Sequence, residues 1–205
     1  AMTQLAGDPL TGFLAVKDAL TFESPHIDDI RSDLARVMLE VINRAYTRLG
    51  RDTSNEMLNA ITEALERNLS LHPRDIRLYM MLAQVGQLQS VVNNDGRYLL
   101  NAERYLTTSL VYSPHRQQLL YMLATIKAQL NKKDEAVQIM EQAITDDNRI
   151  GEGYWRLAYI YNFYKDNAKA REMLDLAKQK GIVFDAQGQQ VEAMVNADQA
   201  PGTKK

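Results

Sequence analysis

Cysteine is absent from the 205 residues, which removes disulfides, thiolate nucleophiles and zinc–thiolate sites together. The compartment stays open, since reducing and oxidising locations both tolerate a chain without thiols. Long apolar runs are missing as well. The longest, such as Leu119 to Ala124, extend over a few residues, whereas a membrane-spanning helix needs about 20. No cleavable signal is legible at the start. Ala1-Met2 reads as a cloning remnant ahead of a fragment, so a longer natural protein is expected, with any targeting signal outside these residues. Charge of one sign is also lacking. With 24 basic and 26 acidic side chains, a net charge of −2 gives no general attraction to nucleic acid, whose binders carry a basic face.

The patterns of catalysis are sparse. Gly151-Glu152-Gly153 is too short for a phosphate-cradling loop and lacks the preceding strand. Ser, His and Asp occur without a spacing that singles out a triad. His26, His72 and His115 lie near loops and far apart in sequence, so they read as solvated side chains and not as ligands converging on one ion. Asp28-Asp29 and Asp146-Asp147 sit at helix ends, where carboxylates cap or solvate. Neither a cofactor, a metal nor an enzymatic activity is expected.

What the chain does have is a repeat. Leu123 and Ala124 recur as Leu157 and Ala158, Ala136 as Ala170, Met140 as Leu174, and Ala143 as Ala177, all at an offset of 34 residues. Small residues recurring where helices touch, with large apolar ones filling grooves, mark a helix-turn-helix solenoid. The spacing predicts helices from about Arg116 to Leu130, about Asp134 to Thr145, and again around Tyr154–Tyr161 and Ala170–Ala177, with Gly181 as a stop. Upstream, Ala102, Leu106, Ser109 and Pro114 keep the phase. Their partner helix, with Tyr79, Leu82 and Ala83, starts seven residues too early. Either that helix is longer or Val91 to Gly96 form an inserted loop, and Asn94-Asp95-Gly96 favour the loop.

Further back, Ile61, Leu65, Asn68 and Pro73 repeat the second-helix spacing, with a long helix from Asp28 to Leu49 as partner, stopped by Gly50. Pro9 to Phe22 reads as a lone leading helix, and Asp185 to Ala197 as a capping helix that covers the last apolar face. The organisation expected is therefore an irregular N-terminal set of helical repeats or a cap over 1–73, repeats over 74–182, a capping helix over 183–198 and a flexible tail over 199–205. Met38, Met81, Met122, Met140 and Met173 fall at apolar helical spacing and read as core filling.

Tyr154, Leu157, Ala158, Tyr161, Ala170, Leu174 and Ala177 resemble the tetratricopeptide pattern nearly completely, with Ile182 in place of the closing Pro and Lys127 in place of the Tyr one repeat earlier. That resemblance implies an all-α, right-handed solenoid of antiparallel helix pairs. A second resemblance covers more of the chain. Asp95 to Leu106, Ser113 to Gln118 and Gly151 to Ala158 are similar to the soluble repeat tails of bacterial O-antigen ligase or polymerase membrane proteins. Ala19 to Ser24 with Asp29 to Leu34 are similar to the start of those tails. This implies an accessory domain at the extracytoplasmic face of the membrane, in a protein whose membrane helices carry the glycan-transfer site. These residues do not themselves span a membrane, although the full-length protein could.

In such an array the first helix of each pair lines the concave groove. The repeat phase places Arg77, Met80, Gln84 and Gln87 there, then Gln118, Tyr121, Thr125 and Gln129, then Glu152, Trp155, Tyr159, Asn162 and Phe163. Tyr154 takes the packing position, which puts Trp155, the one Trp, nearer the groove. Aromatic and amide side chains together suit an extended peptide or a glycan. Tyr121, Trp155, Tyr159 and Phe163 would supply contact area, while Arg77, Gln84, Thr125, Gln129 and Asn162 would set register. The mostly neutral positions Gln118, Tyr121, Thr125 and Gln129 argue against capture of an acidic C-terminus, which needs converging donors. The reading is a non-enzymatic scaffold for a protein partner or glycan. Its alternative is a free-standing cytosolic adaptor that assembles complexes through extended peptides.

Overall fold

The structure, a computed structural model, describes Phe13 and residues 26–197. Apart from Phe13, the leading helix expected over Pro9 to Phe22 lies outside the described residues, as does the tail 199–205. Among the described residues every regular element is a helix: α1 (Ile27–Leu49), α2 (Arg51–Leu71), α3 (Ile76–Asn93), α4 (Arg97–Tyr112), α5 (Gln117–Gln129), α6 (Lys133–Asp146), α7 (Gly151–Phe163), α8 (Asn167–Gln179) and α9 (Ala186–Ala197). They form two compact units that divide between Pro114 and His115.

In the first unit, α1 and α2 are separated by a single residue, Gly50. Its φ of +79° is one that a side chain would strain, and its N–H bonds back to the Tyr46 carbonyl at 3.0 Å. The core gathers Phe13, Leu34, Met38, Ile42, Met57, Leu58, Ile61, Leu65, Leu78 and Leu82, the 3–4 spacing that puts one stripe of each helix inward. A buried amide joins two of these helices. Asn68 is 1% exposed, and its Nδ2 donates to the Asp28 carbonyl at 2.7 Å and the Ser32 hydroxyl at 3.1 Å. It therefore locks the end of α2 to the start of α1 without leaving an orphan amide.

The early start of Tyr79, Leu82 and Ala83 is resolved by helix length, and the loop that the Asn94-Asp95-Gly96 signal favoured is a turn of three residues. The helix α3 runs through Asn93. Its continuation is held by apolar contact, because Val85 belongs to the core and Leu88 and Val92 pack on it. Asn93 closes the extension through a reciprocal amide pair with Asn55, 2.8 Å each way. At Gly86, α4 comes close: a Cβ there would lie 2.9 Å from the Tyr98 carbonyl oxygen and 3.1 Å from Ala102 Cβ.

In the second unit, α5 pairs with α6 and α7 with α8, and α9 packs on α7 and α8. The residues that recur at 34 sit where helices meet. Ala124, Ala136, Ala143, Ala158, Ala170 and Ala177 are fully buried, with Met140. Met38 and Met140 are core, while Met81, Met122 and Met173 are half-buried. The turns repeat too. Asn131 and Lys165, 34 residues apart, adopt φ of +60° and +61°. The next residues, Lys132 and Asp166, donate back to the Lys127 and Tyr161 carbonyls at 2.9 Å each, the hydrogen bond of a left-handed helix stop. Gly181 (φ +73°) ends α8 in the same way.

Three helices, α3, α4 and α7, are preceded by an Asp-x-Arg turn. In each, the Asp side chain accepts from the Arg backbone N–H and from its guanidinium: Asp75 with Arg77, Asp95 with Arg97, Asp147 with Arg149. That hydrogen bonding holds all three carboxyls below the ordinary carboxylate range, Asp147 down to about 2.

Three outcomes follow from these contacts. Lys165 carries a side chain in left-handed backbone, so Lys165→Gly should raise stability by about 1 kcal/mol, read as an increase in the urea midpoint. Gly188 on α9 leaves no room for a Cβ, which would fall 2.6 Å from Trp155 Cδ1 and 2.8 Å from Phe184 Cβ. Gly188→Ala should therefore cost about 1–3 kcal/mol and shift Trp155 emission to the red as α9 is displaced. The Asp-x-Arg turns set an acid limit. Because their folded values lie below the unfolded one, their stabilisation is complete above about pH 4 and is lost as pH falls toward 2. Melting temperature should decline over that window, and Asp147→Asn should flatten the decline; an unchanged profile would remove this cap from the account.

Candidate interaction surface

The side chains predicted to line a groove separate by unit. Arg77 and Gln84 lie on α3 in the first unit, and both are exposed. Arg77 is tied locally, its guanidinium bonded to Asp75. In the second unit, α5 and α7 are neighbouring first helices in contact and carry the rest. Helical spacing of four puts Thr125 with Gln129 on α5, and Tyr159 with Phe163 on α7. The repeat relates the two pairs, since each α7 residue lies 34 after its α5 counterpart.

Three of the predicted contact residues are not at the surface. Trp155 is 6% exposed. Tyr154 does take the packing position, buried with its hydroxyl donating to the Asn148 carbonyl at 3.1 Å, yet its neighbour is covered too. The reason is the capping helix: Gly188 lets α9 and Phe184 close directly onto the indole. Tyr121 is buried as well. Asn162 is buried, and its Nδ2 donates to Asn167 Oδ1 at 3.2 Å, tying the end of α7 to the start of α8. Thr125 is half-buried, with its hydroxyl donated to the Tyr121 carbonyl four residues back at 2.9 Å. Gln118 and Gln129 are exposed; Gln118 accepts from Arg116 at 3.3 Å.

Tyr159 and Phe163 are the apolar side chains that α7 leaves in solvent, at 42% and 51% exposure. Phe163 meets the Tyr164 ring edge-on at 5.2 Å between centroids, which fixes its plane.

Arg156 lies one turn before them and was not among the sequence-level candidates. Its guanidinium sits 4.6 Å from the Trp155 ring centroid and 5.4 Å from that of Tyr121, and bonds Glu152 at 2.7–2.8 Å. The signal for it was present: Glu152 and Arg156 stand four apart on a helix, acid before base, the favourable order for a helical ion pair. Half-exposed, the pair offers one donor fork and one acceptor beside the aromatic stripe. Below it, the Tyr121 hydroxyl is buried with no hydrogen-bond partner among the described residues. Burial first, and Glu152 second, push that phenol up to about 12, so it is a neutral donor at physiological pH.

This arrangement places aromatic area beside one donor fork and one acceptor. Among the described residues no three His, Asp or Glu side chains gather as a metal site. His72 and His115 each meet a single carboxylate, Asp28 at 3.1 Å and Asp146 at 3.0 Å. None of the helices among the described residues is long and apolar enough to cross a membrane.

No family model matches the chain, and no curated protein does. Among solved structures it is similar to a thermophilic tetratricopeptide-repeat protein of Thermus thermophilus, with a TM-score of 0.63 and 18% identity over 96% of this chain and 98% of that one. A weaker likeness, to PilF of Pseudomonas aeruginosa, has a TM-score of 0.36 and 14% identity over 92% of this chain and 91% of that one. The identity is low, so the likeness speaks to architecture and not to partner. With its helices and its repeat, the chain has an all-α, tetratricopeptide-like solenoid fold.

Proposed function

We propose that the chain is a non-catalytic interaction scaffold that holds an extended segment of a partner protein against α5 and α7. The observation that carries this is the exposure of Tyr159 and Phe163 on one face of a helix whose other large side chains are nearly all buried. Aromatic area held rigidly in solvent suits a binding anchor, because it costs little entropy to immobilise. Thr125 and Gln129 flank the stripe from α5, and the Glu152–Arg156 pair supplies polar register. Trp155, Tyr121 and Asn162 support this face from beneath. Arg77 and Gln84 would contribute a separate contact from the first unit.

The finer setting rests on sequence. Asp95 to Leu106 and Gly151 to Ala158 resemble the repeat tails of O-antigen ligase-like membrane proteins. That resemblance supports a place at the extracytoplasmic face, next to a membrane-embedded glycan-transfer site. Tethering there would raise the effective concentration of a partner protein or glycan without new chemistry.

Titration of the chain with a library of extended peptides, and separately with surface-polysaccharide oligosaccharides, tests the reading by calorimetry and Trp155 emission. Saturable peptide binding is expected, weakened about 10-fold to 100-fold in Tyr159→Ala/Phe163→Ala. Stability should change little, by roughly 0.5 kcal/mol per exposed site or less. A response to oligosaccharides alone would transfer the surface to a glycan. No response, or binding indifferent to the double variant, would remove it.

A further inference from the structure

A second concavity lies wholly within the first unit, lined by none of the residues so far assigned to binding. It is a cavity of about 310 Å³ between α2 and α4, floored by α3. The floor is apolar where Leu82, Val85 and Gly86 line it. Gly86 lets α4 approach α3 along the backbone of Tyr98, while the extended α3 is anchored to α2 at Asn55. One wall is a face of α2 that includes Asn59 and Thr62, and the opposite wall is the face of α4 bearing Tyr98, Asn101 and Tyr105.

Every charge on the walls is already answered. Glu63 pairs with Arg67 at 2.7 Å, Glu66 accepts from the Tyr105 hydroxyl, and the Arg104 guanidinium lies 4.8 Å from the Tyr105 ring centroid. An ionic occupant would have to break one of these contacts, and exchanging one exposed pair for another gains little. The hydrogen-bonding capacity left over is neutral. Asn59 Oδ1 accepts from Gln89 Nε2 at 3.3 Å, which leaves the Asn59 N–H groups on the α2 side and the Gln89 carbonyl beside the floor. Asn101 is exposed on α4, and its carboxamide makes no hydrogen bond among the described residues. Carboxamide donors and acceptors therefore face the cleft from both sides, above an apolar floor.

An extended backbone turns the N–H and C=O groups of successive residues to opposite sides, and its side chains alternate as well. Two consecutive residues would thus address Asn59 with Gln89 on one side and Asn101 on the other, while one side chain points down to Leu82 and Val85. We infer that the cleft between α2 and α4 holds an uncharged extended stretch of a partner protein, with one aliphatic side chain on that floor and the flanking backbone amides bonded by the three carboxamides. This extends the scaffold reading to a second contact but does not depend on the α5–α7 face. The volume, at the low end for a small-ligand pocket, suits one such side chain with the backbone beside it. A charged side chain in the same place would be desolvated with no free counter-charge.

The experiment uses the whole chain and a short capped peptide, acetyl-Gly-Ser-Leu-Ser-Gly-amide, beside two twins, one with the leucine N-methylated and one with arginine in its place. Side-chain amide NMR signals of Asn59, Gln89 and Asn101 report on the cleft. The leucine peptide should shift them saturably, with a Kd of about 1 mM, in keeping with so short a ligand. Each twin should bind about tenfold more weakly, one for the lost N–H and one for the desolvated charge. Asn101→Ala, at an exposed site, should lose about the same factor while its melting temperature confirms the fold. Tyr159→Ala/Phe163→Ala should leave the shifts intact, which separates failure of this site from failure of the α5–α7 face. No saturable shift, equal or tighter binding of either twin, unchanged affinity in Asn101→Ala, or shifts produced only by a neutral oligosaccharide would each overturn the assignment.

Discussion

Close helix–helix approach over alanine is the constraint on which the second unit depends. Ala124, Ala136, Ala143, Ala158, Ala170 and Ala177 have no exposed surface. A methyl group is the largest side chain that lets two backbones come together at those crossings. Once they are fixed, the larger residues at the remaining inward positions, Leu123, Leu157, Met140 and Leu174, have defined grooves to fill. The turns must then reverse the chain within a few residues, and the left-handed backbone at Asn131 and Lys165 does so identically in both pairs. That a lysine accepts this conformation shows how strongly the pair geometry overrides local preference.

The first unit meets the same need differently. It has Gly86 and the buried Ala102 where α4 presses on α3, a single left-handed glycine between α1 and α2, and side-chain amides at two further contacts. Asn68, buried, and Asn93, half-buried, each join two helices through side-chain hydrogen bonds. This gives directional locks where the alanine crossings of the other unit give only proximity. It also explains the unequal spacing of the chain, because the two added turns of α3 bring Asn93 to Asn55.

Fold was largely legible because its determinants are local and periodic. The offset of 34 residues, the stops at Gly50 and Gly181, and the asparagine signal at 94 each act through backbone geometry that a sequence states directly. The length of α3 was misjudged because a turn-forming triplet at Asn94 to Gly96 says where a helix ends but not whether the residues before it are helical. Val85, Leu88 and Val92 answered that by packing on helices distant in sequence. Trp155 failed for a related reason. A third helix covers it, and the residue that permits the cover, Gly188, makes no sign of its own in the pattern. Arg156 was overlooked because a charged residue between repeat positions reads as solvent-facing until its two aromatic neighbours are placed.

The division between burial and exposure on α7 links these points to binding. In the repeat, Tyr154, Leu157, Ala158 and Tyr161 are committed to packing within the pair, and α9 commits Trp155 as well. The positions left over on the face toward α5 are those of Glu152, Arg156, Tyr159 and Phe163. Two of these carry a balanced ion pair and two carry aromatic rings. Exposing an aromatic ring forfeits the burial free energy of its area, on the order of 25 cal/mol for each Å², and here no fold requirement demands it. The other large apolar side chains of α7 are drawn inward, so the helix keeps two rings outward at a net cost in burial.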